Sequence, residues 1–193
     1  MRQQVEQQTR ATEMRRLQRD KFLRNLLFIF YNLLTKKSIM THLNALLDQL
    51  ESKIPFCDTS NLDVSKGNVG WHIEHCLLTL DGVTKFLVQS DPKNYSWSFN
   101  LIRILVLFRK KIPRGRAKAP KIVQPQEILS QESLLNHISK TRNAIKELAF
   151  VSKNHYFKHP YFGNLKLEQT IDFLEIHTQH HLAIMDDILK KQA

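Results

Sequence analysis

Little in this 193-residue chain breaks or staples a backbone. Glycine occurs five times and proline six, and neither appears before Pro55. Sandwiches and barrels need turn residues about every 8–12 positions, so this scarcity excludes a many-stranded fold and favours a few long helices. Cysteine occurs twice, as Cys57 and Cys76, without Cys-x-x-Cys spacing. Two such residues cannot frame a disulfide scaffold, and a reducing, cytoplasmic location is the expectation. Long apolar runs are missing too: Leu26–Leu34 and Leu101–Phe108 fall far short of the ~20 residues that span a bilayer. No transmembrane segment is expected. A secretory leader is not expected either, because the polar lead-in holds Glu6, Glu13 and Asp20 and no small-residue cleavage site follows.

What is plentiful is positive charge, unevenly placed. Lys and Arg number 29 against 18 Asp and Glu, a formal charge of +11. Residues 1–39 hold nine Lys/Arg and three acids, and residues 101–121 hold eight Lys/Arg and no acid, which leaves −3 on the rest. A DNA-binding domain carries its basic face on the folded body, whereas here two segments carry it. No helix interleaves Arg and Lys with aromatics, so no specific nucleic-acid binding is expected, and any contact should be weak and sequence-blind. The hydrophobic fraction of 42% is enough to build a core, which excludes wholesale disorder.

Residues 1–20 are rich in Gln, Arg and Glu without an apolar face, the composition of a solvated helix. From Lys21 to Leu34 the chain is apolar nearly all round, so it must be buried in a partner, in the body of the protein or in a membrane surface; contact of 22–34 with a membrane surface is one of these options. Met40 opens an amphipathic stretch with Leu43, Leu46, Leu47, Leu50 and Ile54 at helical spacing and Thr41 placed as an N-cap. The expectation is a basic, partly apolar appendage over 1–39, dispensable for folding, and a complete domain over 40–193. Within that domain, 55–67 reads as a loop, and Val69 to Gln89 as a helix stopped by Asp91-Pro92. A short helix from about Ser98 to Phe108 precedes a basic, proline-bearing loop. Further helices are expected from about Ser130 to Phe150 and from about Lys166 to Lys191, with a loop over 152–166 between them. No strand is expected. The fold class is all-α, a bundle of four main helices and a shorter one.

Five of the nine histidines fall in two clusters. His177 and His181 lie four apart on the last helix, one turn above each other, where they interrupt the apolar face of Thr170, Leu174, Ile184 and Ile188. His180 is turned about 100° aside. Two protonated imidazoles on a buried face would repel, and two neutral ones would leave ring nitrogens unpaired; a shared cation satisfies both, while ordinary hydrogen-bond partners or a wet helix rim would do so as well. The second cluster, Trp71-His72-Ile73-Glu74-His75-Cys76, opens the Val69 helix and could supply a third ligand. The helical wheel places His72 nearer the core than His75, without settling which of them it is. Trp71, Glu74 and Asp186 are candidates for supporting roles, though plain packing or solvation explains each of them. His42 and His137, alone on their helices, read as surface or capping residues, and His155 and His159 as loop residues. Cys76 reads as an inert buried thiol, and Cys57 has no base beside it in sequence.

Taken in order, Trp71-x-x-x-His75-Cys76, then His159-Pro160-x-Phe162-Gly163, then Glu175-x-His177-x-x-His180-His181-Leu182 resemble the DinB-like superfamily, closest to its small bacterial branch with a His-Cys pair on the second helix. The likeness covers about 40–193, and Ile112–Pro125 looks like the proline-bearing connection of relatives. It implies a four-helix bundle, here with an extra N-terminal helical segment, holding a divalent metal ion, zinc or nickel. Carried over position by position, it selects His75, His177 and His181 as ligands, with His75 in place of His72. It also implies a metal-dependent enzyme of thiol S-transferase or hydrolase type, whose open metal position could lower the pKa of a bound water or hold a thiolate. A small thiol or another anionic small molecule would be its partner, drawn by the positive charge of 101–121. The alternative is a non-catalytic interaction protein with a structural or vestigial metal site. A homodimer is compatible with either.

Overall fold

A computed structural model describes residues 2–115, 119–125 and 129–190; over 2–13 and 28–38 it describes the backbone alone. The chain divides into two units, Met1–Ile39 and Met40–Ala193. The described residues are mostly helical, with one small sheet.

The first helix, α1 (Arg2–Ser52), has no stop until Pro55 because nothing before it removes a donor or favours positive φ. The separate helix start expected at Met40, capped by Thr41, therefore does not occur: the helix runs through both residues. In the first unit Phe22, Leu23, Leu26 and Leu27 are exposed. The side chains of 28–34, the other half of the apolar stretch, lie outside the described residues.

In the second unit, α2 (Val69–Gln89) has the expected bounds. Asn68 accepts from the Trp71 N–H at 2.8 Å as N-cap, and Ser90 and Pro92 follow the last turn. Its buried stripe, Val69, Ile73, Leu77, Leu80 and Leu87, packs against α4 (Gln131–Ala144) and α5 (Leu167–Lys190). Leu134 and Ile138 of α4, and Leu174, Met185 and Ile188 of α5, close that core together with Leu43, Leu47 and Leu50. Each such side chain contributes about 1.5–3 kcal/mol by leaving water. Arg142 of α4 clasps the 40–52 part of α1, reaching Asp48 at 2.5 Å and Glu51 at 2.7 Å. The helix expected to run to Phe150 tightens after Ala144 into a 3-10 stretch, Ile145–Phe150.

Two short elements differ from expectation. The 152–166 stretch is not a plain loop: β1 (Tyr156–His159) pairs antiparallel with β2 (Gly163–Lys166), with His159 opposite Gly163. Gly163 sits at φ +71°, the left-handed position that a three-residue hairpin connection demands. His159 is therefore a strand residue, buried, and its Nδ1 accepts from the N–H groups of Tyr161 and Phe162, both at 3.1 Å. The short helix α3 (Leu101–Arg109) starts later than expected because Asn100 caps it, accepting from the Arg103 N–H at 2.8 Å. No described helix is long and apolar enough to cross a membrane.

Candidate metal centre

Two helices build the site. The first two turns of α2 present Trp71, His72 and His75 on neighbouring faces, and the middle of α5 presents His177 and His181 one turn apart. His75, His177 and His181 each offer one ring nitrogen, and these three atoms lie within 4.8 Å of one another. That group could hold a metal ion. Among the described residues no fourth His, Cys, Asp or Glu joins it.

Hydrogen bonding outside the group assigns the free nitrogens. His75 Nδ1 faces the Val123 carbonyl at 2.6 Å; a carbonyl only accepts, so Nδ1 carries the proton and Nε2 keeps the lone pair. That Nε2 lies 3.2 Å from His177 Nε2. Two lone pairs at this distance repel unless a proton or a cation lies between them. His181 Nδ1 is 2.9 Å from His72 Nδ1, and His72 Nε2 is 2.9 Å from Ser65 Oγ. When Ser65 accepts from His72, His72 Nδ1 accepts from His181 Nδ1–H, and His181 Nε2 is left as a donor to metal. When the Ser65 hydroxyl donates instead, the proton order reverses and His181 Nε2 carries hydrogen. Orientation of a ligand imidazole through its other nitrogen is the usual partner of metal binding. His177 Nδ1 is buried with no hydrogen-bond partner among the described residues, so nothing on that side fixes which ring nitrogen of His177 carries the proton. The donor set fits a divalent ion.

Electrostatics favours the metal-binding protonation state. Burial first, and then repulsion from neighbouring imidazoles, pushes the pKa values of His177 and His181 far below the ordinary histidine range. Burial also lowers His75, against the opposing pull of the Val123 carbonyl, and holds His72 down at about 4. All four rings are neutral near pH 7, as ligation requires.

Aromatic packing fixes the rings in place. Trp71 stacks on His75, with centroids 5.0 Å apart and planes 16° from parallel. A Cβ at Gly67 would come within 2.9 Å of the Trp71 ring, so only glycine leaves that ring its position. Phe173 of α5 packs on His177, and His159 lies edge-on to Phe173. His72 and His180 are neighbours of His181 outside the three-nitrogen group. A cleft of about 440 Å³ lies between residues 110–114 and α5, lined among others by Lys111, Arg114, Gln179 and His180. Arg114 pairs there with Asp187 at 2.8 Å, and Lys110 with Asp172.

His137 is not the surface or capping residue its sequence context suggests. Its ring bridges two α2 carboxylates, Nδ1 to Glu74 at 2.9 Å and Nε2 to Asp81 at 3.0 Å, which also removes Glu74 from the solvated charges. Those bonds raise its pKa to about 9. Ser65 and the Val123 carbonyl had no sequence signal. A main-chain acceptor has no residue signature, and a loop serine seven positions before His72 looks like any other. Among protein-family models, curated proteins and solved structures, none matches this chain.

Proposed function

We propose that residues 40–193 are a DinB-like four-helix bundle that binds a divalent metal ion, zinc or nickel, through His75, His177 and His181. The convergence of three neutral imidazole nitrogens, from buried His75 and His181 and half-buried His177, carries this reading. A three-ligand set leaves a coordination position for substrate, as catalytic sites do, whereas structural zinc sites close with a fourth protein ligand. Such an ion supplies Lewis acidity toward a bound water or thiol. The chain's own part is to orient the ligands: Val123 and His72 hold the outer nitrogens of His75 and His181, and Trp71 covers one ring face. Lys111, which lines the cleft beside His180, supports a small anionic partner such as a carboxylate-bearing thiol, and thiol transfer or hydrolysis is the reaction class that the family resemblance implies.

Elemental analysis of the full-length protein, purified without a His tag, tests the reading. About one zinc or nickel ion per chain is expected, lowered several-fold by His75→Ala, His177→Ala or His181→Ala and unchanged by His180→Ala. Metal retention that is indifferent to the three ligand substitutions would refute it.

A further inference from the structure

Helix α3 turns most of its apolar residues outward. Its inward side carries Val106, 6% exposed, and Arg103, 4% exposed; the Arg103 guanidinium donates to the carbonyls of Ser98 at 2.5 Å, Phe162 at 3.2 Å and Asn164 at 3.4 Å. At 100° per residue, Ile104, Phe108, Leu101, Leu105, Arg109 and Ile102 follow one another around the opposite arc. All the apolar residues of that arc are exposed, Phe108 by 85%. Trp97 and Phe99 in the preceding segment, each 69% exposed, extend the patch. A surface helix normally turns such residues inward. Here the roll is fixed, because rotating α3 to bury its leucines would orphan a guanidinium and three carbonyls at once. Exposed apolar groups gathered in this way mark an interaction surface.

Charge identifies what covers it. Residues 101–121 contain eight Lys/Arg and no acid. Arg109, Lys110 and Lys111 follow directly on the apolar arc; Lys110 is paired with Asp172, while Arg109 and Lys111 have no carboxylate partner among the described residues. The occupant must be apolar at its centre and negative at its rim. A second copy fails this requirement, since it would set the exposed, unpaired Arg109 and Lys111 of one face against those of the other with no carboxylate between them. We propose that α3, with Trp97 and Phe99, is a peripheral docking face for an anionic lipid bilayer. The helix lies in the interface plane with Leu101, Leu105 and Phe108 among the upper acyl carbons, Trp97 at the headgroup level, and Arg109 and Lys111 against lipid phosphates. The apolar face shares no residue with the three-nitrogen group, while Lys111 at its rim also lines the cleft beside His180.

The test uses the full-length protein and vesicles of phosphatidylcholine containing about one-third phosphatidylglycerol, at physiological salt. Cosedimentation is expected, weaker by at least about tenfold on pure phosphatidylcholine because each interfacial cation adds to the attraction. Residues 1–39 are also basic, so the face itself must be interrogated. Leu105→Ser with Phe108→Ser, both outside the core, should reduce partitioning by about tenfold or more with the helical circular dichroism unchanged. In the unsubstituted protein, tryptophan emission should shift to the blue on vesicle addition, and Trp97→Phe should abolish the shift. Equal binding to neutral vesicles, binding untouched by the double substitution, or an emission shift that survives Trp97→Phe would each overturn the proposal. So would a protein that ignores vesicles and sediments as a dimer dissociated by Phe108→Ser, which would make the face a self-association surface.

Discussion

Replacing His137 by glutamine should expose a pH-dependent contribution to stability from the bridge between α4 and α2. The ring is 18% exposed and sits between Glu74 and Asp81, themselves 15% and 33% exposed. Its pKa rises from 6.5 to about 9, chiefly through the bonds to Asp81 and Glu74 and against the cost of burial. At about 1.4 kcal/mol per pH unit, this corresponds to about 3 kcal/mol of stabilisation by the protonated ring, nearer 2 kcal/mol after screening at the more open Asp81 side. The folded state binds this proton more tightly than the unfolded state does. The stabilisation is therefore complete below pH ~6.5 and is lost as pH rises through about 9. Buried His159, held at about 4, is neutral in the folded state throughout; its unfolded form takes up a proton only towards pH ~6, a contribution common to both proteins that cancels in their difference. The thiols of Cys57 and Cys76, both pushed up by burial, weaken the fold only above their ordinary range. Urea unfolding of the full-length protein and of His137→Gln from pH 6 to pH 10 isolates the effect as a difference. A gap of about 2–3 kcal/mol near pH 6, or about 4–10 °C in Tm, should close by about pH 10. A gap that is flat with pH would show that the imidazolium contributes nothing and that the bridge is only packing.

Two further outcomes follow from other buried polar groups. His72→Leu removes the partner of His181 Nδ1 without removing a ligand, so chelator competition should show metal affinity reduced by about 10–100-fold but not abolished; unchanged affinity would mean that His72 does not orient His181. Arg103→Met keeps the bulk of the side chain and orphans the carbonyls of Ser98, Phe162 and Asn164, which should lower stability by about 2–4 kcal/mol in denaturant titration while leaving metal content intact. Arg103→Lys should not rescue it, because one ammonium cannot serve three acceptors in a fixed fork.

Legibility in the sequence followed the range of the forces involved. The bounds of α2 were readable because Asn68 caps it and Asp91-Pro92 stops it, all within the local chain. The pairing of His177 with His181 was readable for the same reason, since an offset of four on a helix is local geometry. The hairpin Tyr156–Lys166 was not, because each four-residue strand is stable only against the other. The break expected at Met40 came from giving weight to Thr41 as a cap, where the absence of Gly and Pro before Pro55 was the stronger signal. His137 looked idle because its partners are on another helix, and Arg103 looked like any other cation of the basic 101–121 segment although two of its acceptors lie in the distant hairpin. The choice between His72 and His75 was beyond a helical wheel: both are buried, and they differ in what α5 and the Val123 carbonyl place opposite them.

Cys57 and Cys76 are free and almost wholly enclosed, with thiols that burial keeps protonated. Their reactivity toward oxidants or alkylating agents is thus governed by how often the fold opens around them rather than by intrinsic nucleophilicity. They sit at different depths. Cys57 lies where a loop carbonyl accepts from the Gly70 N–H at 2.8 Å, next to the start of α2, whereas Cys76 lies inside the core stripe of that helix. Fraying of the loop would release the first sulfur alone, while the second waits for α2 to part from α4 and α5. The chain thus carries two internal clocks, one timing local breathing beside the histidine centre and the other timing collapse of the bundle that holds it.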